Sequence, residues 1–225
     1  YIVDEALRQA DMSFADIEAV AVTDGPGLIG ALLVGVSYAK ALAHYLSLPL
    51  IPVYHIEGHI CSLYISHPEL EPPFICLVVS GGHTHIVVVE DYGRYRLLGK
   101  TRDDAVGEAF DKTARALGLG YPGGPLLEKL AEQGQPVYAY TRGFKGEIHL
   151  DFTFSGLKTS VIKQMHTLDQ RGEASNKADP ASSCQAEAVA FLADNPFDAS
   201  LREGVDNIGI AGGVSSNGAL RRAFA

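Results

Sequence analysis

The hydrophobic pattern of the first part of the chain predicts alternating strands and helices. Residues Ile17 to Thr23 alternate between apolar and polar side chains as a strand does, and the turn Asp24-Gly-Pro-Gly27 follows. The segment from Leu28 to Leu46 is rich in Ala, Leu and Gly, which is typical of a buried helix. Leu50 to Tyr54 is a second strand, and a helix is expected to begin at His55. This β-α-β-α order favours a parallel sheet with covering helices.

The pattern changes after a polar, proline-rich segment, His67 to Pro73, which we interpret as a domain linker. Three strand-like runs joined by short turns follow and predict a meander, which opens a mixed or α+β sheet. The expected strands are 74–80, 84–90 and 95–99, the expected helices are 105–117, 125–132, 156–165 and 187–192, a polar loop is expected at 170–181, and a last strand and glycine turn at 207–213.

These elements predict an α/β protein with two lobes, in the fold class of the actin, hexokinase and Hsp70 ATPases. We expect residues 1–68 to form part of the N-terminal lobe and residues 74–225 to form the C-terminal lobe. In that class the nucleotide lies in the cleft between the lobes. Helical periodicity begins at Tyr1, and an apparent helix is still in progress at Ala225, so we expect the fold to be truncated at both ends.

The composition narrows the class of protein further. Hydrophobic residues make up 47% of the 225 residues and charged residues 20%, which predicts a chain that is folded throughout. The net charge of −9 argues against a protein coated with basic surface for nucleic acid. Three widely spaced cysteines without a CxxC pair predict reduced thiols and a cytoplasmic protein. The longest uncharged runs, 25–39 and 41–56, are too short to span a bilayer, so no membrane contact is expected.

Two histidines follow the second strand four residues apart. On a helix, His55 and His59 would lie on one face, where two neutral imidazoles can share one metal ion. Glu57 would lie about 200° around the helix from either histidine, so the missing ligand would be a remote carboxylate. Two histidines, one carboxylate and open positions suit non-haem iron or zinc. The alternative is a polar helix face without a metal.

Several glycine turns are candidate binding loops. The turn at Ser80-Gly81-Gly82 joins two strongly β-type runs, and its backbone N–H groups could cradle a phosphate, although an ordinary hairpin also needs a glycine. Asn217 follows a strand and a glycine pair, and it could equally be a helix N-cap. Asp111 could belong to a solvated helix face, and Gly124 to a rigid turn.

Six motifs in order give the chain a resemblance to one family, the bacterial tRNA adenosine threonylcarbamoyltransferases (TsaD), once classed as O-sialoglycoprotein endopeptidases. The resemblance covers essentially the whole chain. The motifs are Thr23-Asp-Gly-Pro-Gly-Leu28, His55-Ile-Glu-Gly-His59, Val78-Val-Ser-Gly-Gly-His-Thr84, Gly107-Glu-Ala-Phe-Asp-Lys112, Tyr121-Pro-Gly-Gly-Pro125 and Ala211-Gly-Gly-Val-Ser-Ser-Asn217.

The resemblance implies a set of site residues. His55 and His59 match the metal ligands of the family, with one divalent ion per subunit, Fe²⁺ as the first expectation and Zn²⁺ as the second. The family's third metal ligand would lie beyond Ala225, and its first phosphate loop before Tyr1. The positions that match substrate contacts are Val78, Val79, Ser80, Gly81, Gly82, Asp111, Gly124 and Asn217.

The resemblance also implies an acyltransferase. Such an enzyme transfers the threonylcarbamoyl group from threonylcarbamoyl-AMP to the exocyclic amine of the adenosine adjacent to the anticodon, in tRNAs that decode ANN codons. The implied partners are tRNA and TsaB-like and TsaE-like subunits. The alternatives are a metalloendopeptidase, disfavoured because the chain lacks His-Glu-x-x-His, and a non-catalytic scaffold paralogue, which would need no metal.

Two groups of basic residues are candidates for contact with tRNA phosphates, and ordinary solvated faces are the alternative. The first group is Arg94, Arg96, Lys100 and Arg102, and the second is Arg142, Lys145, Lys158 and Lys163.

Overall fold

The computed structural model describes residues 1–140, 143–144, 149–172 and 176–225. The chain is a mixed α/β protein that divides into two compact units, Tyr1–Cys61 and Ser62–Ala225. One helix, α3 (His55–Ser66), begins in the first unit and ends in the second.

The first unit contains the predicted parallel strand pair. Strand β1 (Val20–Gly25) pairs with β2 (Leu50–Tyr54), and Val20 is opposite Leu50 in the register. Helix α2 (Ile29–Leu46) connects the two strands and packs against β1, and a further helix, α1 (Ile2–Ala10), precedes them. The β-α-β order expected from the sequence is therefore confirmed.

The expectation that residues 28–46 form a buried helix is wrong in one respect. The segment is helical, but Ala39 and Ala43 are its buried residues, and Leu28 and Tyr45 are 83% and 84% exposed. Within this unit a two-stranded sheet covers only a narrow stripe of α2, because Ala39 and Ala43 lie one turn apart on one face. Composition predicts an apolar helix, but it does not predict how many of its sides neighbours will cover.

Helix α2 also bears on the expectation about membranes. It is the one helix in the described ranges that is long and apolar enough to cross a bilayer, because its 18 residues join the two uncharged runs across Lys40. Core helices of soluble proteins and signal sequences pass the same test, so this property is weak evidence for a membrane span.

The second unit is built on a four-stranded sheet in the order β5-β4-β3-β6. The meander is confirmed by three consecutive strands, β3 (Phe74–Val79), β4 (Thr84–Asp91) and β5 (Arg94–Lys100). Strand β4 pairs antiparallel with both β3 and β5. Strand β6 (Ile208–Ala211) adds to β3 in parallel, and every residue of β3 is buried. The ends of the parallel strands β3 and β6 therefore meet at one edge of the sheet.

Helices cover this sheet and carry the polar groups of the site. Helix α7 packs on β3, β4 and β6, and it also contacts α4, α5, α6 and α8. The helices are α4 (Val106–Ala116), α5 (Gly123–Ala131), α6 (Ser155–Gln170), α7 (Ala178–Glu203) and α8 (Gly218–Phe224), and a 3₁₀ turn at Gly213–Ser216 precedes α8.

Helix α7 differs most from the sequence prediction. A helix was expected only at 187–192, and 170–181 was expected to be a loop, but the helix spans Ala178–Glu203. The loop prediction is wrong for residues 178–181 and 170, and residues 173–175 lie outside the described part of the chain. Pro196 weakens the local signal for a helix, yet it is buried inside one, so tertiary packing has overridden the local preference. Pro180 lies in the first turn of α7, where proline is tolerated.

Candidate functional site

A cavity of about 190 Å³ lies in the second unit. Four of the residues predicted to contact substrate, Gly81, Asp111, Gly124 and Asn217, line it together, although they are spread over more than a hundred positions of sequence. Other predicted contacts, Val78, Val79, Ser80 and Gly82, are not among the lining residues. The remaining lining residues are Gly107, Phe110, Pro125, Glu128, Gly213, Val214 and Ser216.

The cavity lies at the carboxyl ends of two parallel strands, the usual place for a ligand in α/β sheets. Gly81 follows β3, and Gly213 follows β6. The two strand ends are held close together at Gly212, which has φ +92°, and where an added Cβ would lie 2.3 Å from the Val79 carbonyl oxygen. Only glycine fits that contact and that backbone conformation.

The loop after β3 is closed by its own hydrogen bonds. The backbone N–H of Ser80 donates to the carbonyl oxygen of His83 at 2.8 Å, and the N–H of His83 donates to Ser80 Oγ at 3.0 Å. Gly81 and Gly82 form the tip, and an added Cβ on either would meet nothing within 4 Å. The protein thus leaves open space at both glycines.

The first turn of α4 packs directly on this loop. An added Cβ on Gly107 would lie 2.7 Å from the Ser80 carbonyl oxygen and 2.9 Å from Gly81 Cα. The N–H of Val106 donates to the buried Thr84 hydroxyl at 3.0 Å, which fixes the start of the helix against β4. The loop is therefore a supported element rather than a free hairpin end.

Asp111 connects α4 to the start of α5. Its Oδ1 accepts hydrogen bonds from the backbone N–H groups of Gly123 at 2.8 Å and Gly124 at 3.2 Å. An added Cβ on Gly123 would lie 2.7 Å from Ala114 Cβ, so the two helices approach at a glycine. The Asp111 carboxylate thus holds the Gly123-Gly124 turn, so this face of α4 is not purely solvated.

Asn217 is the N-cap of α8 and also a lining residue. Its Oδ1 accepts from the Leu220 N–H at 2.9 Å, and its Nδ2 donates to Gln185 Oε1 at 3.0 Å. The N-cap interpretation is confirmed, and the side chain also lines the cavity. A cap and a ligand contact are therefore compatible at this residue.

Glu128 is a site residue that the sequence reasoning missed. It lines the cavity, and its Oε1 accepts from the Gly218 N–H at 2.6 Å, which joins α5 to the start of α8. The signal was present, because Glu128 lies four residues after Gly124 and therefore on the same face of α5. Gln185, in contrast, has no local signal in the sequence.

The histidine pair has the predicted helical geometry. His55 and His59 lie in the first turns of α3, with ring centroids 4.4 Å apart and ring planes at 61°. This separation suits two ligands of one metal ion. The described residues contain no group of three or more His, Cys, Asp or Glu side chains that could complete such a site.

The basic residues are less favourable for nucleic acid than the sequence alone suggested. In the first group, Arg94 and Arg96 form exposed ion pairs with Glu90, Arg96 also pairs with Glu203, and Arg102 pairs with Asp151. In the second group, Lys163 lines a polar cavity of about 330 Å³ beside α6. Arg142 and Lys145 lie outside the described residues.

Solved structures with a similar fold define the fold class of the chain. HypF from T. kodakarensis superposes with a TM-score of 0.72 at 15% identity, over 98% of this chain and 38% of that chain. The activator of the 2-hydroxyisocaproyl-CoA dehydratase from Clostridium difficile, solved with bound ADPNP, gives a TM-score of 0.54 at 14% identity, over 99% of this chain and 69% of that one. The predicted actin- and hexokinase-like α/β fold class is confirmed.

Within that class, the chain belongs to the TsaD family, tRNA N6-adenosine threonylcarbamoyltransferase, whose sequence profile matches residues 1–225. A tRNA N6-adenosine threonylcarbamoyltransferase of Clostridium kluyveri is 52% identical over 225 residues, which are 99% of this chain and 66% of that protein. One from Clostridium perfringens is 53% identical over 221 residues, 98% of this chain and 65% of that protein. The chain thus spans slightly less than two thirds of the length of these curated relatives.

Proposed function

We propose that this chain carries the donor-binding part of a tRNA threonylcarbamoyltransferase. The reaction moves the threonylcarbamoyl group from threonylcarbamoyl-AMP to the exocyclic amine of the adenosine adjacent to the anticodon, in tRNAs that decode ANN codons. Family membership and the names of relatives at 52% and 53% identity support this reaction. The observation that carries it is the cavity that brings Gly81, Asp111, Gly124 and Asn217 together.

The cavity has suitable chemistry for the adenylate part of the donor. Asp111 and Glu128 each carry a carboxylate with several lone pairs. Each carboxylate can accept a hydrogen bond from a ribose hydroxyl and keep its backbone contact through another lone pair. The open tip at Gly81 lets a phosphate approach the backbone without meeting a side chain. The volume of about 190 Å³ is below the usual range for a complete ligand site, so it encloses part of the adenylate.

The chemical step needs positioning more than a strong catalytic base. The donor is a mixed anhydride of a carbamic acid and AMP, so it is already activated. The amine nitrogen of the adenosine attacks the carbamoyl carbon, the bond from that carbon to the phosphate oxygen breaks, AMP leaves, and the nitrogen loses a proton. An aromatic amine is a weak nucleophile, so the rate depends on alignment and on stabilisation of the leaving phosphate. Gly81, Asp111, Glu128 and Asn217 hold the adenylate side of that arrangement.

The histidine pair is proposed to hold one divalent ion, Fe²⁺ first and Zn²⁺ second. His55 and His59 fit two ligands, and a carboxylate from elsewhere would be the third. When bound, the ion would supply Lewis-acid chemistry at the two imidazoles. The chain's own residues for this role are the two imidazoles of α3.

The proposal extends to partners and compartment. A tRNA substrate, TsaB-like and TsaE-like subunits and a cytoplasmic location all follow from the family resemblance. The exposed arginines of β5 are paired with carboxylates, so much of the tRNA contact is assigned to other surfaces or subunits. Endopeptidase and scaffold functions are not favoured, because no relative above carries such a name.

The test is a reconstituted transfer assay with the full-length protein, its partner subunits, unmodified tRNA and labelled threonine. We expect the label to appear on the adenosine adjacent to the anticodon, as measured by mass spectrometry of the nucleosides. A protein that binds the donor analogue but leaves the tRNA unlabelled under these conditions would contradict the proposed reaction.

A further inference from the structure

Gln185 is a buried polar residue on α7, and it touches the site through one contact. Its side chain is 8% exposed, and its Oε1 accepts a hydrogen bond from Asn217 Nδ2 at 3.0 Å. Its neighbours on the buried face of α7 include Cys184 and Ala188. A buried amide in such surroundings is costly unless it is hydrogen-bonded, and the contact with Asn217 satisfies the Oε1 of this amide.

The amide of Asn217 is held by two contacts of opposite kind. The Leu220 N–H can only donate, so the atom 2.9 Å from it must be the acceptor Oδ1. The other atom of the amide, the donor Nδ2, therefore faces Gln185, whose Oε1 accepts from it at 3.0 Å. A flip of the Asn217 amide would oppose donor to donor at Leu220 and acceptor to acceptor at Gln185.

This arrangement leaves one hydrogen for a ligand. Nδ2 carries two hydrogens, and the contact with Gln185 uses one of them. Asn217 is 7% exposed and lines the cavity, so this second hydrogen is the donor that its side chain can offer there. Gln185 therefore holds the Nδ2 end of an amide whose orientation the Leu220 N–H sets, although Gln185 is not among the lining residues of the cavity.

We propose that Gln185 is a positioning residue that fixes the Asn217 amide, so that its second N–H donates to the bound nucleoside. The identity of the ligand as the adenylate donor rests on the proposed function. The orientation of the amide does not, because both fixing contacts are within the protein.

Three variants of the full-length protein separate these parts. Gln185→Met keeps a similar side-chain length and removes the acceptor, and Gln185→Glu keeps an acceptor oxygen in either protonation state. Gln133→Met is the matched control, because Gln133 is an exposed glutamine whose amide donates a hydrogen bond to the Lys129 carbonyl oxygen.

The first measurement is the ¹H–¹⁵N resonance of the Asn217 side-chain amide and its proton exchange, without ligand. The second is the affinity for adenosine by NMR titration, since an uncharged nucleoside is not repelled by an added carboxylate.

We expect Gln185→Met to shift the Asn217 amide resonance, to speed its exchange and to weaken adenosine binding by about tenfold, the effect of one lost, buried hydrogen bond. Gln185→Glu should keep the slow exchange and most of the affinity, and Gln133→Met should match the wild type. An unchanged Asn217 amide in Gln185→Met would overturn the proposal, and so would a changed amide with unchanged affinity. If Gln185→Met does not fold, fast exchange in folded Gln185→Glu would overturn it instead. A wild type with a protected amide and no affinity for adenosine would uphold the orientation and contradict the donor site of the proposed function.

Discussion

At the scale of single residues, the glycines around the cavity fall into two physical classes. Gly107, Gly123 and Gly212 are required by the fold, since an added Cβ on each would lie within 3.0 Å of a neighbouring atom. Gly81 and Gly82 meet nothing within 4 Å, so packing does not require them. The same residue type in neighbouring motifs thus allows close packing in one class and leaves open space in the other.

Gly81→Val is expected to impair donor binding more than folding. The side chain enters open space where the phosphate is proposed to approach, so affinity for a non-hydrolysable threonylcarbamoyl-adenylate analogue should fall by about tenfold or more. Thermal melting should change little. Gly107→Val is the matched control, because its side chain would meet the Ser80 carbonyl oxygen and should destabilise the fold by about 1–3 kcal/mol. Unchanged affinity in folded Gly81→Val would remove the loop from the site.

His85, on β4, makes the second unit sensitive to acid. Burial, with smaller contributions from the charges of His83 and Lys100, lowers the pKa of His85 from 6.5 to about 4. The unfolded chain binds a proton at the ordinary pKa while the folded chain does not, so stability is full above pH 6.5 and falls as the pH drops toward 4. His85→Gln should lose less stability than the wild type between pH 7 and pH 5 in urea denaturation. His67→Gln, which replaces an exposed histidine, is the control. An equal loss of stability in the wild type and in His85→Gln would refute the assignment of the acid sensitivity to His85.

At the scale of elements, local sequence patterns correctly predicted the strands and helices that depend on neighbouring residues. The strand at Leu50–Tyr54 and the helix from His55 are confirmed, since β-type composition and helical spacing are read directly from neighbouring residues. The burial of α2 and the full length of α7 were not predicted, because both depend on which other elements pack against them. Pro196 is the clearest case, as it is disfavoured in a helix and yet buried inside one.

The spacing on α3 leads to a prediction about metal binding. His55→Ala or His59→Ala should abolish most metal retention by the full-length protein, whereas Glu57→Gln on the same helix should leave it unchanged. Anomalous scattering from crystals should show an ion within about 2.3 Å of one nitrogen of each imidazole. Metal loss in Glu57→Gln equal to that in His59→Ala would show that Glu57 is a ligand and that the interpretation of the spacing is wrong.

At the scale of the whole molecule, the candidate site could be predicted in part. Gly81, Asp111, Gly124 and Asn217 were found as motifs, and the fold brings all four to one cavity. Glu128 was within reach of the sequence, because it lies one turn after Gly124 on α5. Gln185 was not, since its role exists only through the packing of α7 beside Asn217. The order of the motifs along the sequence identifies the family, whereas the arrangement of the site depends on tertiary contacts.

The central claim is that the cavity of the second unit binds the adenylate of the donor through Asp111. The most direct test is the affinity of the full-length protein, Asp111→Asn and Glu108→Gln for the non-hydrolysable threonylcarbamoyl-adenylate analogue, by calorimetry. Asparagine keeps an oxygen for the Gly123 and Gly124 N–H groups, so the turn should survive while the charged acceptor for the ribose is lost.

Glu108 is the control, because it lies on the same helix, is about half exposed and pairs with Lys112 at 2.8 Å. The account predicts that Asp111→Asn binds the analogue about tenfold more weakly at an unchanged melting temperature, and that Glu108→Gln binds like the wild type. Equal affinity of Asp111→Asn and the wild type, with both proteins folded, would contradict the placement of the donor in this cavity.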